Sequence, residues 1–293
     1  MSNGMDFDID QSSADRLNQG MSLGGGIELP FDAPVFWWLN GAPANRALAS
    51  ANPALYFGGW ACNQEDLDEV KDERGGLPAG LVSTDIYTRE SKTIQVYSSR
   101  MLIIAPIGFR QSWSGGNGQT QTRSIQWAPG LRQHIQVLAL MGIRLDNGAY
   151  KSWGAVTLSC KGFQAAYLTS ALKDWKKALE RPRKEHAPQI PAWAFWMAVG
   201  TFGQNIDTKM VGKADAQSPV TPVNLYVPKE ITLETMRKLY VGKDAVNEMA
   251  DKLEDAAEWL GAWKARADHP AVAPGDDENY IPPEPAYEDE IPF

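Results

Sequence analysis

No run of about 18 apolar residues occurs in the 293-residue chain, so no transmembrane helix is expected. Cysteine is scarce: Cys62 and Cys160 stand alone, and no spacing pairs them. A disulfide-stapled scaffold is therefore excluded, and a reducing, cytosolic setting is expected. The three histidines, His134, His186 and His269, are scattered, so a zinc site would have to gather ligands from distant positions. No metal or other cofactor is expected. The N-terminal MSNGMDFDID is acidic and lacks the apolar stretch of a secretory signal. Asp6, Asp8 and Asp10 start like a calcium loop, but Gln11 stands where that loop needs glycine and Leu17 where it needs glutamate. Gly-Lys-Ser/Thr is absent too, which excludes a phosphate loop of the nucleoside-triphosphatase kind.

What the chain does have is segregated charge. The formal net charge is −8, yet residues 92–184 hold fourteen lysines and arginines against only Asp146, Asp174 and Glu180. Local patches outweigh the acidic average, because salt screens charge over about 10 Å. Tyr97, Phe109, Trp113, Trp127, Trp153, Phe163, Tyr167 and Trp175 are interleaved with those cations. Cations that neutralise phosphates, mixed with flat rings that stack on bases, are what a single-stranded nucleic-acid groove requires. The competing reading is a β-domain with core aromatics and solvated cations.

Taken in order, residues 1–27 are polar and Gly-rich and are expected to form a flexible arm. Leu29–Ser83 is dense in aromatics with turn signals at Asn40-Gly41 and Gly58-Gly59, and Glu65–Glu73 reads as a short acidic helix. Ile94, Val96 and Leu102–Ile104 predict a β-meander bent near Arg100. Residues 110–130 read as a long polar loop or hairpin bearing Arg110, Trp113, Arg123 and Trp127. Residues 132–144 predict a strand, Asp146-Asn147-Gly148 a hairpin turn, and residues 150–160 the return strand. Alternation puts Val156, Leu158 and Cys160 on one face of that strand and Lys151, Trp153 and Thr157 on the other. Phe163–Leu179 has helical spacing, closed by Pro182.

Further strands are expected at Trp193–Phe202 and Val220–Val227. Strand, strand, strand, helix, strand, strand is the order of an OB-fold, a five-stranded barrel that binds oligonucleotides on strands 2 and 3 and the 1–2 and 4–5 loops. The expected fold is therefore mainly β with helices: an OB-like domain over residues 28–230 with an N-terminal elaboration. A helical segment follows over 231–266, with Thr232 as a cap. Within it, Asp244–Arg266 carries Met249, Leu253, Ala256, Ala257, Leu260 and Trp263 on one stripe. That stripe fits the barrel or a second subunit, which leaves homo-oligomerisation open. On this register Arg110, Trp113, Arg123, Trp127, Arg132, Lys151, Trp153 and Lys161 are the candidate nucleic-acid contacts. No paired carboxylates and no Ser/His/Asp or Cys/His arrangement occur in the basic segment, so catalysis is not expected.

From Ala267 the chain turns proline-rich and acidic, with too little apolar surface to fold alone. It ends Glu288-Asp289-Glu290-Ile291-Pro292-Phe293. An apolar tip on an acidic flexible string is a tethered ligand: a ring for a pocket and acids for a basic rim. These six residues closely resemble the C-terminal tip of bacterial single-stranded-DNA-binding proteins. The resemblance implies a protein that coats single strands during replication, recombination or repair and recruits partner enzymes through Glu288–Phe293. The body is longer than a minimal OB domain and carries two helices ahead of the tail, so in size it looks more like a phage-encoded member, which places it in a bacterial host's cytoplasm. The alternative is a recombination mediator or annealing factor that chiefly loads partners. The acidic tail is expected to lie on the basic groove when DNA is absent.

Overall fold

The computed structural model describes residues 29–41, 58–87, 93–116, 121–124, 128, 130–203, 208–213 and 216–265. The expected N-terminal arm, Trp127 and the acidic tail with its tip lie outside the described residues.

The centre of the molecule is a long hairpin of β7, Arg132–Arg144, and β8, Tyr150–Lys161. Asp146-Asn147-Gly148 turns it: Gly148 takes φ +82° and the Ala149 N–H donates to Asn147 Oδ1 at 3.0 Å. Before it come β4, Thr93–Ser99, and β5, Met101–Gly116, one run of chain bent at Arg100 as expected, but they do not pair as the predicted meander: β4 joins β2 and β3 while β5 joins β7 and β9. β6, Gln121–Ser124, pairs with the far end of β5. Of the two readings of residues 110–130, loop or hairpin, β5 and β6 form the hairpin. The aromatic N-terminal stretch supplies β1, Val35–Leu39, β2, Gly59–Asn63, and β3, Val82–Tyr87, with helix α1, Gln64–Lys71, where the acidic helix was predicted.

β9, Met197–Gly200, and β12, Asn224–Leu225, complete the sheet, whose order is β12–β9–β5–β7–β8–β1–β2–β4–β3. β10, Lys209–Lys213, and β11, Ala216–Val220, form a separate hairpin inside the expected polar loop 203–219. Among the described residues β1 and β8 are the one parallel pair, and the other pairs are antiparallel. The sheet curls into a half-barrel. The Trp60 indole of β2 donates to the Val199 carbonyl of β9 at 3.0 Å, and Thr201 Oγ1 donates to Gly58 O at 3.0 Å.

The fold is mainly β, but it is not the closed five-stranded OB barrel the element order predicted. The two strands expected after the helix shrink to four and two residues. Trp193–Trp196 is occupied elsewhere: the Trp196 N–H donates to Leu239 O and the Ala194 N–H to Pro191 O. Their place beside β8 is taken by β1 and β2, so the N-terminal elaboration belongs to the main sheet.

Helices cover both faces of the sheet. α2, Phe163–His186, packs on β7, β8 and β12. It passes through Pro182 instead of ending there, and the Arg183 guanidinium ties down its end by donating to the carbonyls of Pro188 and Ile190. Near its start, Gln164 donates to Asn40 Oδ1 and Thr221 O, both at 2.9 Å, and accepts from the Val223 N–H. α3, Leu233–Leu239, is capped by Thr232, whose hydroxyl accepts from the Thr235 N–H, as expected. The long helix predicted over Asp244–Arg266 is two: α4, Lys243–Asp255, and α5, Ala257–Ala265. Of the predicted stripe, Met249, Leu253, Ala256 and Leu260 are buried, Ala257 is exposed, and Trp259 is buried in addition. α4 and α5 lie against β5.

Candidate nucleic-acid interface

Residues directly opposite each other in a ladder point to the same face, so register assigns faces without ambiguity. On β5, β7 and β8 the register sets Arg110 beside Gln136 and Ser159, Ser112 beside His134 and Lys161, and Ser114 beside Arg132. Gly108, Leu138 and Thr157 form the next row, and β1 adds Val35 and Trp37. The other face carries Val137, Ile135, Leu158, Cys160 and Phe36 and meets α2, with Gln133 Nε2 donating to Thr169 Oγ1. One face is thus apolar and helix-packed, and burial holds the Cys160 thiol pKa well above its usual range. The opposite face is polar: three cations, four hydroxyls, an imidazole and an amide on three adjacent strands.

Arg132 and Lys161 stand exposed at the open end of this face. Arg110 lies deeper, 8% exposed. Its Nε donates to Gln136 Oε1 at 2.6 Å and its NH1 to the Trp259 carbonyl at 3.3 Å. The guanidinium carbon sits 3.7 Å from the centroid of the Trp259 ring. A desolvated cation on an indole is worth about 2 kcal/mol. His134 Nε2 is 3.0 Å from Ser159 Oγ. Around them Ser112 Oγ, Thr157 Oγ1 and Trp37 Nε1 are buried, and none has a hydrogen-bond partner among the described residues. Each such orphan costs about 1–3 kcal/mol, so three on one face call for an explanation.

Of the eight contacts expected from sequence, Arg110, Arg132 and Lys161 share this face. The register also places Arg123 of β6 opposite Ser114. The others separate. Trp113, half-buried, pairs with Gln133 and so points to the α2 side. Trp153 is buried: its Nε1 donates to Gly76 O at 2.8 Å and Arg74 lies 4.7 Å over its ring. It is a packing residue, not an open stacking platform. The cause is a register shift. Met141 pairs with Gly154 and Gly142 with Ser152, which leaves Trp153 as the extra residue. That shift also puts Lys151 out of phase with Thr157, although the two were expected on one face. Lys151 is exposed, but ten residues from Lys161 it lies roughly 30 Å away along β8. Trp127 lies outside the described residues.

Sequence reasoning missed Ser112, His134, Gln136, Ser159 and Trp259. A signal for the strand residues was present: Arg132, His134 and Gln136 alternate with apolar or α2-facing neighbours in β7. Trp259 had one too, three residues after Ala256 and next to Leu260, both of which the predicted stripe contained. Among the described residues no group of three or more His, Cys, Asp or Glu gathers as a metal site, and no helix is long and apolar enough to cross a membrane. Compared with family models, with curated proteins and with solved structures, the chain matches none.

Proposed function

We propose that the polar face of β5, β7 and β8 binds single-stranded DNA with little sequence preference, and that the acidic C-terminal tip recruits partner proteins. The observation that carries the first half is the common facing of Arg110, Arg132 and Lys161 among uncharged hydrogen-bonding side chains. Cations on adjacent strands track a phosphate backbone, and Ser112, His134, Gln136 and Ser159 supply donors and acceptors to sugar and base edges. A curled, twisted sheet follows a flexible single strand better than a straight duplex. Fewer open aromatic rings line the face than the sequence implied, so phosphate contact carries more of the affinity and stacking less. The tip half of the proposal is supported by the sequence Glu288-Asp289-Glu290-Ile291-Pro292-Phe293 and its resemblance to the bacterial tips.

Titrating the full chain with labelled oligo(dT) and with matching duplex at two salt concentrations tests this reading. Preference for the single strand, with affinity falling steeply as salt rises, supports it. Equal affinity for duplex, or binding indifferent to salt, contradicts it. Separately, deleting Ile291–Phe293 should leave DNA affinity intact while abolishing partner capture.

A further inference from the structure

We infer that α5 is a displaceable cover over this face, and that Trp259 occupies on Arg110 the place a nucleobase takes when a strand binds. The inference rests on the proposed DNA-binding reading and adds its regulation.

Three features of the closed face point this way. First, Arg110 is held by Trp259 through both the ring, at 3.7 Å, and the carbonyl, at 3.3 Å. An indole on a guanidinium makes the same stacking contact as a base on a guanidinium, so the two exchange without leaving the cation bare. Second, Ser112 Oγ, two residues along β5 from Arg110 on the same face, is buried and has no hydrogen-bond partner among the described residues, and a polar ligand on this face satisfies it. Third, α5 is weakly anchored. It has nine residues, too few to persist as a free helix, and it is separated from α4 by the break at Ala256. Of the α5 residues whose side chains are described, Ala257, Glu258 and Gly261 are exposed, and Trp259 and Leu260 are the buried ones. Leu260 comes close only because residue 108 is glycine: a Cβ there would sit 3.1 Å from both Leu260 methyls.

The acidic, proline-rich stretch begins within two residues of the end of α5.

The test places a spin label at Gly261→Cys, an exposed position with no neighbouring atoms within 4 Å, in the full chain, where Cys62 and Cys160 are buried. Saturating oligo(dT) should convert the label from slow to fast motion. Trp259→Ala, and independently the wedge Gly108→Val, which removes no hydrogen-bonding side chain, should each tighten oligo(dT) binding about threefold or more by raising the open population. A label that stays slow while DNA demonstrably binds overturns the cover, as does weaker binding by Trp259→Ala together with unchanged binding by Gly108→Val. A wild-type chain that binds no oligo(dT) at all overturns the underlying DNA-binding reading instead.

Discussion

Arg110 and Trp259 are 149 residues apart in sequence, yet the guanidinium lies 3.7 Å from the indole centroid and donates to the same residue's carbonyl. The pair joins the strand that carries the deepest cation of the polar face to the last described helix of the chain. A cation this buried must recover its lost hydration from its neighbours, and Gln136 and Trp259 provide part of that. Whatever enters the face has to offer Arg110 an equivalent environment. A stacked base and a phosphate oxygen do so; an apolar ligand does not.

Trp153 provides a test of how the aromatic residues divide. Trp153→Phe keeps the ring but removes the donor to Gly76 O. Because Gly76 is exposed and water can replace the bond, the loss should be about 1 kcal/mol in denaturant unfolding. Oligo(dT) affinity should be unchanged. A clear loss of affinity without a loss of stability would return Trp153 to the binding surface.

Gln164 joins the end of β1, the start of α2 and the segment before β12 through three hydrogen bonds. Gln164→Ala leaves the buried Val223 N–H without its acceptor and should cost about 2–3 kcal/mol of unfolding free energy. Chemical denaturation of the variant measures it, and a change under 0.5 kcal/mol or so, the size of a neutral surface substitution, contradicts the bridging role.

The hairpin of β7 and β8, the bend at Arg100 and the Thr232 cap were legible because each rests on local signals: period-two alternation, an Asp-Asn-Gly turn, a hydroxyl before a helical stripe. The parallel pairing of β1 with β8 was not, since alternation in VFWWL says that a strand is half-buried and not which strand it joins. Phase was lost at Trp153, where one extra residue inverts every face assignment beyond it. Trp259 lay on the stripe through Ala256 and Leu260 at ordinary helical spacing, but the reading took the exposed Ala257 in its place. On the site, charged residues drew attention while Ser112, His134 and Ser159 did not. Polar residues of modest size become informative only when register shows that they share a face.

Cys62 and Cys160 are free and buried, and burial raises both thiol pKa values well above the usual range. Reactivity requires the thiolate, so neither should react with a thiol reagent near neutral pH in the native protein. The native chain should show no rapid modification, and both thiols should titrate in denaturant. Fast reaction of one thiol in native buffer would mean that its side of the core opens readily.

The most direct measurement compares oligo(dT) affinity for two substitutions at opposite ends of one strand system. Arg132→Ala with Lys161→Ala removes two exposed cations of the polar face; Lys151→Ala removes another exposed cation, at the far end of β8. The double variant should bind about tenfold or more weaker, with the slope of log affinity against log salt reduced by about 0.7 for each lost phosphate contact. Lys151→Ala should bind like the wild type. Equal losses from both, or none from the double variant, would contradict the assignment of the DNA-binding face.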